Sequence, residues 1–379
     1  MKKLISALAA FATVCVTAAS LVANAAYIDP SGNDGVTASD SLYIQKFLAG
    51  LFPSYNLNSM DVDMNGIVSE MDSDKILSYL TNRDSLILPE APANYDTTTL
   101  TNIEERKYRK HKYSSSSSTS YSTYILKRPS SSNMLSSDYD CMPMSIIGEN
   151  NMIRDYDTAV VRICNVGGTG FIIGDHIIAT AAHCVYNRGT GAYIDNNIEI
   201  VDENNNVIDS FHAESVHVPT EFCTSSGTVM KENDYALLYV PSVDLSEYGM
   251  FSLGVAKDEF VQNSAKQVVV SGFPQEYPDG YESGKWGIRF KAAGSMHPLE
   301  SNHQLFSEKR LCYDADMAGG DSGGPVYVEE GFVGSDNLWH NYKTVIGINT
   351  HESEYYQCNL GVRITPELLA FYNHNQYLD

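Results

Sequence analysis

Three short stretches of the chain carry residues that could perform nucleophilic chemistry together. The first, GTGFIIGDHIIATAAHC from Gly168 to Cys184, reads as strand and then a small-residue turn ending on His183. The second places Asp234 directly before the apolar run Ala236-Leu237-Leu238. The third, GGDSGGPV from Gly319 to Val326, puts Ser322 in a glycine turn. A serine hydroxyl is a weak nucleophile at neutral pH and needs a base such as histidine to take its proton. The imidazole in turn needs a carboxylate to fix its tautomer and stabilise its charged form. Attack on a carbonyl builds an oxyanion, for which the backbone N–H groups of Gly320 and Ser322 are the natural donors. Each motif alone has a bland reading as a packed histidine, a strand-edge acid or a turn. Together, in the order His183, Asp234, Ser322 and spaced 51 and 88 residues apart, they form a specific constellation.

A second constellation has metal chemistry. Asp29, Ser31, Asn33, Gly35 and Asp40 occupy positions 1, 3, 5, 7 and 12 of one loop; Asp61, Asp63, Asn65, Ile67 and Asp72 occupy the same positions of another, 32 residues on. Oxygen side chains at 1, 3, 5 and 12 with a backbone carbonyl at 7 suit calcium. Each loop leads into an apolar-periodic stretch with helical spacing. The first loop departs from the pattern, with Asp34 and Gly35 where the second has Gly66 and Ile67. A polar turn without metal is the plainer alternative.

The motifs carry family resemblances. Thr180-Ala181-Ala182-His183-Cys184 and Gly320-Asp321-Ser322-Gly323-Gly324-Pro325 resemble the trypsin-like superfamily. Residues 313–325, 346–350 and 359–365 are similar to its bacterial glutamyl-endopeptidase branch, and Ser145-Ile146-Ile147-Gly148 resembles the mature N-terminus of those enzymes. The paired loops, with aspartate at position 12 and no helix before each loop, look like a type I dockerin, the module that docks on cohesin domains of a cellulosome scaffold. These resemblances imply a serine endopeptidase, calcium in the loops, no cofactor for catalysis and a cohesin partner. They also imply activation by a cut before Ser145 or Ile146, freeing an amine for Asp321. An α/β-hydrolase is the competing enzyme, since residues 320–324 satisfy G-x-S-x-G. That fold needs the order serine, acid, histidine and a helix after the serine, whereas Pro325-Val326-Tyr327-Val328 reads as strand. A catalytically inactive binding module of a cellulosome is the rival outside enzymes.

The resemblance assigns a substrate pocket to Asp316, Met317, Asn349, Thr350 and His351. Glutamyl endopeptidases carry histidine where Asn349 stands and threonine where Met317 stands, which argues against an acidic P1 residue. Asp316 stands where trypsin has its pocket-floor aspartate, which argues for a basic one. The choice stays open. Outside the leader six cysteines remain, allowing fifteen connectivities. The resemblance suggests Cys164–Cys184 as the histidine-loop bridge and Cys312–Cys358 across the serine loop and pocket strand, leaving Cys141 for Cys223.

These motifs need a scaffold. From about Ser145 to Asp379 the chain is rich in short strand-like runs, at 159–163, 170–173, 176–179, 236–240, 267–270, 325–328 and 344–348, with a helix expected only over 366–372. The expected fold is all-β: a double six-stranded antiparallel β-barrel with a C-terminal helix, preceded by a small α-helical calcium-binding domain. The expected division is 1–25 signal peptide, 26–82 calcium-loop domain, 83–144 linker or propeptide and 145–379 catalytic domain. The leader has Lys2 and Lys3, an apolar run to Val22 and Ala23-Asn24-Ala25 as a cleavage pattern. Its alternative is a membrane anchor. The linker holds a basic run at 106–112 and serines at 114–118, suited to solvation or processing. A net charge of -22 and a pI near 4.7 disfavour nucleic acid and anionic membranes. The expectation is a secreted, extracellular monomer acting on protein or peptide, with no membrane insertion.

Overall fold

The computed structural model describes residues 28–32, 35–51, 55–81, the backbone of 123–127, and 151–194, 197–275, 287–299, 307–334, 336–353 and 358–375. The leader, Asn33, most of the linker, Cys141 and the Ser145–Gly148 segment lie outside the described residues. The chain divides into two compact units, residues 1–118 with 331–340, and residues 119–330 with 341–379.

The first unit is built from two loop-helix copies. Helix α1 (Ala38–Leu48) starts at the N-cap Thr37, and Thr37 and Asp40 close a reciprocal capping box. Helix α2 (Leu57–Met60) is a single turn before the second loop, where the sequence suggested none; Asn56 caps it through the Asn58 N–H. Helix α3 (Glu70–Thr81) follows the second loop, and Ser69 and Asp72 repeat the Thr37–Asp40 contact 32 residues later. The copies meet where Ser41 and Ser73 hydroxyls lie 2.8 Å apart, also 32 residues apart in sequence. Ile44, Phe47, Ile67, Met71 and Ile76 are buried.

The second unit is mostly β. Its strands are β1 (Thr123–Lys127), β2 (Ile153–Arg154), β3 (Val160–Ile163), β4 (Gly168–Gly174), β5 (Ile177–Thr180), β6 (Asn197–Val201), β7 (Val207–His212) and β8 (Ser215–Pro219). Helix α4 (Gly227–Glu232) separates these from β9 (Ala236–Tyr239), β10 (Gln267–Gly272), β11 (Phe290–Ser295), β12 (Arg310–Tyr313), β13 (Pro325–Val333), β14 (Trp339–Ser353) and β15 (Cys358–Arg363). Helix α5 (Pro366–Asn375) ends the described chain.

Two large sheets result among the described residues, one ordered β7-β6-β3-β4-β5-β9-β8-β1 and the other β12-β15-β14-β13-β10-β11-β2 with Ser252–Leu253 beside β14. Among the described residues each has eight strands, against the six expected per barrel. One of the additional strands, β1, comes from the segment whose composition reads as linker; it pairs its backbone antiparallel with β8. The architecture remains the expected all-β pair of barrels. Val160, Phe171, Ile178 and Leu237 fill the first sheet's core, and Val268, Val326, Ile348 and Val362 the second's. Helix α5 buries Leu368, Leu369, Phe371 and Tyr372. Phe371 meets Tyr235 edge-on at 5.1 Å, an arrangement worth about 1 kcal/mol beyond burial. That contact clamps the residue next to Asp234.

Candidate active site

Strand pairing brings the first two functional residues together. β5 and β9 run antiparallel with Ala236 opposite Thr180, so Asp234, just before β9, lies beside the turn that follows β5. That turn is one tight coil, Ala182–Cys184, made possible by the small Ala181 and Ala182. Asp234 is delivered by α4, whose last turn ends at Asn233; the Asn233 side chain caps it by donating to the Val229 carbonyl at 2.8 Å.

Both oxygens of Asp234 are engaged by His183. Oδ1 accepts from the His183 backbone N–H at 2.9 Å and Oδ2 lies 2.7 Å from Nδ1. His183 and Asp234 are 8 % and 3 % exposed, so water does not screen the pair. Burial opposes the charged imidazole, but the Asp234 carboxylate, with a smaller part from Cys184, holds the His183 pKa well above the usual histidine range. Burial likewise opposes the Asp234 carboxylate, and His183 outweighs it and holds the carboxyl below its usual range. The geometry fixes Nδ1 toward the acid, which sets Nε2 on the opposite side of the ring.

Ser322 sits in a turn that only glycine permits at two places. Gly320 and Gly323 have φ of +104° and +87°. A Cβ on Gly323 would lie 2.2 Å from the Thr169 carbonyl and from Thr180 Oγ1, so the turn packs directly on the strand end leading to His183. Thr169 stitches the same contact: its N–H donates to the Ser322 carbonyl at 2.8 Å and its hydroxyl to the Gly320 carbonyl at 2.7 Å. The Ser322 hydroxyl donates to the Thr350 carbonyl at 3.4 Å. Among the described residues, the N–H groups of Gly320 and Ser322 have no protein acceptor. They are two unspent donors flanking Asp321.

Asp321 is fully enclosed. Its Oδ2 accepts from the Ala318 N–H at 2.9 Å, while Oδ1 is buried without a partner among the described residues. Burial pushes the carboxyl up to about 8 despite that bond.

The residues assigned to the pocket are dispersed in role. Asp316 is 4 % exposed, and its Oδ2 accepts from the Asn151 N–H at 2.7 Å. Met317 is buried. Asn349 is wholly buried and bonded at both ends, accepting from the Tyr313 hydroxyl at 2.6 Å and donating to the Asp321 carbonyl at 2.9 Å. Thr350 lies against Ser322, as above. His351 is half-buried on the same strand. Its Nε2 lies 3.1 Å from Arg310 Nη2, and its Nδ1 lies 2.8 Å from Thr350 Oγ1. Arg310 only donates, so Nε2 accepts and the His351 proton sits on Nδ1. Burial, then the charges of Arg310 and Lys231, hold the His351 pKa down at about 3. Arg310 and Tyr313 were not singled out in the sequence. Their one signal there is a charged and a phenolic residue inside an otherwise apolar run, RLCY.

The cysteines depart from expectation. No disulfide joins Cys164, Cys184, Cys223, Cys312 or Cys358 to another described cysteine. The residue facing Cys184 is Gly168, where a Cβ would come within 2.8 Å of Cys184 Sγ; Cys184 also approaches the Ser322 carbonyl at 3.5 Å. Cys164 instead lies near Glu199 and Arg162, with burial raising its thiol to about 11. The Cys164–Cys184 bridge is therefore not formed. Cys312 and Cys358 are neighbours on β12 and β15, hydrogen-bonded thiol to thiol, with that bond and burial raising the Cys312 thiol. Cys223 is unbridged, and Cys141 lies outside the described residues.

In the first unit, the carboxylates of Asp61, Asp63 and Asp72 bring oxygens within 4.8 Å of one another. Asp61 Oδ2 accepts from the Gly66 N–H at 3.1 Å, and Asn65 Oδ1 from the Ile67 N–H at 2.7 Å, which curls the loop around the cluster. Burial and the neighbouring Asp63 and Asp61 charges raise the Asp72 carboxyl well above its usual range. Lys75 neutralises one edge through Asp63 at 2.6 Å. A hard divalent cation fits this donor set, because it would relieve three converging negative groups. In the first loop Asp29 accepts from the Gly35 N–H at 3.1 Å, and Asp40 from the Ser31 N–H at 3.0 Å. Asn33 lies outside the described residues. No helix among the described residues is long and apolar enough to cross a membrane.

The family model described as trypsin matches residues 147–370. A glutamyl endopeptidase of Bacillus licheniformis is 24% identical over 236 residues, covering 59% of this chain and 66% of that protein. The chain thus spans just under two thirds of that curated relative. Among solved structures, a Glu endopeptidase aligns with a TM-score of 0.48 at 17% identity, covering 62% of this chain and 100% of the other. The protease Anisep from Arthrobacter nicotinovorans aligns at 0.42 and 16%, covering 59% and 98%.

Proposed function

Because the chain belongs to the trypsin family, we propose that it is a secreted serine endopeptidase in which Ser322, His183 and Asp234 act as one catalytic unit. The observation that carries this reading is the buried His183–Asp234 pair, doubly bonded and packed beside the Ser322 turn. In the first step the Ser322 hydroxyl leaves the Thr350 carbonyl and passes its proton to His183 Nε2. Its oxygen bonds the substrate carbonyl carbon. The carbonyl electron pair moves to oxygen, where the Gly320 and Ser322 N–H groups receive it; such donors are worth about 3 kcal/mol each. His183 returns the proton to the leaving amine as the C–N bond breaks. Water, deprotonated by the same imidazole, then cleaves the acyl-serine ester. Throughout, Asp234 balances the imidazolium charge.

Activation follows from Asp321. A cut before Ser145 or Ile146 frees an amine that pairs with the unpartnered Oδ1 and orders the turn. The N-terminal unit acts as a calcium-dependent dockerin that ties the enzyme to a cohesin-bearing scaffold. Asp61, Asp63, Asn65, the Ile67 carbonyl and Asp72 would hold one ion, and Asp29, Ser31, Asn33, the Gly35 carbonyl and Asp40 another. The bound ion supplies positive charge that holds each loop closed.

Fluorophosphonate labelling of the activated protein tests the catalytic reading. Covalent mass on Ser322, lost in Ser322→Ala and strongly slowed in His183→Ala, is the expected result. An unlabelled activated protein would favour the inactive binding module instead. Cohesin binding with and without chelator tests the docking.

A further inference from the structure

The His183–Asp234 pair has cationic neighbours that the catalytic steps do not use. Arg310 is 4 % exposed, and among the described residues its guanidinium hydrogen-bonds only to His351, a neutral acceptor that leaves its charge uncompensated. Its Nε is buried without a partner, and no carboxylate pairs with it among the described residues. Burial lowers its pKa, opposed by Glu232, then Cys312 and Asp234. Asp234 is committed to His183, and Glu232 makes no ion pair with either cation. Lys231, half-buried on α4 three residues before Asp234, feels burial first and then Arg310, both lowering its pKa. Buried positive charge without a counter-ion is costly, and such groups are normally paired.

Position identifies the occupant. His351 follows Thr350, whose carbonyl holds the Ser322 hydroxyl, so the cluster borders the reacting serine. It lies on the Asp234 side of the site, whereas Asp316 is engaged elsewhere by Asn151.

We propose that Lys231, Arg310 and His351 form an anion-reading subsite that takes the carboxylate of a substrate Asp or Glu flanking the residue whose carbonyl is attacked. Lys231 supplies the mobile ammonium that bonds the carboxylate. Arg310 supplies fixed charge behind it, and His351 holds Arg310 in place. The inference rests on the peptidase reading, because the ligand is a peptide side chain placed relative to Ser322.

The test uses matched peptides in which each position within four of the scissile bond carries Glu or Gln. kcat/KM is measured on the activated full chain, and binding on its Ser322→Ala form. The expected result is a Glu-over-Gln preference of about tenfold at one flanking position, falling with salt. Lys231→Met and Arg310→Gln should each reduce that ratio to about twofold, and Lys231→Arg should keep it. Ratios within one variant cancel any change in the chemical step. Equal binding of Glu and Gln peptides at every flanking position overturns the inference, as does a ratio untouched by both variants or a preference confined to the attacked residue. A chain that neither labels nor cuts refutes the peptidase reading instead, and the binding arm still decides the subsite.

Discussion

Asp321→Asn should remove a pH-dependent weakness of the uncut chain. The carboxyl is held near pH 8 in the folded protein by burial, against about 4 in an unfolded chain. The folded state therefore keeps a proton that the unfolded state has lost. Stability is fully present below about pH 4 and declines as pH rises toward 8. The slope approaches ~1.4 kcal/mol per pH unit, which gives ~5 kcal/mol over the window. The asparagine amide keeps the bond from the Ala318 N–H and never ionises. The two proteins should match near pH 4, and the variant should be more stable by several kcal/mol at pH 8. Urea unfolding at pH 4.5, 6 and 8, in a Ser322→Ala background that prevents self-digestion, reads the difference. Other titrating groups cancel between the two chains. Parallel stability curves would refute the assignment of an unpaired, protonated Asp321.

Further outcomes concern the other sites. Asp234→Asn should lower kcat about 10⁴-fold. It should also move the acid limb of the pH–rate profile downward, because wild-type His183 is held above the usual histidine range and must lose its proton to act as base. Gly323→Ala should cost about 3 kcal/mol or more and abolish Ser322 labelling, given its positive φ and a Cβ 2.2 Å from the Thr169 carbonyl. Gly319→Ala, whose nearest neighbour is Gln275 Oε1 at 3.7 Å, should be tolerated in thermal melts. Calcium at a hundredfold excess over its Kd should stabilise the N-terminal unit by about 2.7 kcal/mol. Calorimetry should show that gain lost in Asp61→Asn/Asp72→Asn, and an unchanged gain would dismiss the loop as the site.

The strands that carry chemistry were legible because their patterns are local. Runs such as Ile177–Thr180 and Ala236–Tyr239 are apolar, flanked by turn residues, and pair as the motif order requires. The strands Phe290–Ser295 and Cys358–Arg363 were not. A Cβ on Gly294 would meet the Ala315 backbone at 2.2 Å, and one on Gly361 the Ile348 carbonyl at 2.8 Å. Close approach forces small residues there and erases the apolar signal. In β7, Val207 and Ile208 face solvent, so burial does not set their pattern. The cationic cluster was illegible for another reason. Lys231, Arg310 and His351 come from three distant segments, and only the fold joins them.

The Tyr313–Asn349–Asp321 relay ties strand β12 to the Ser322 turn. One amide serves as bolt between β12 and the backbone that presents Ser322. Loosening that bolt would therefore disturb β12 and the Ser322 turn together. Histidine at position 349 would unfasten both bonds at once, so that substitution would call for a compensating change at Tyr313.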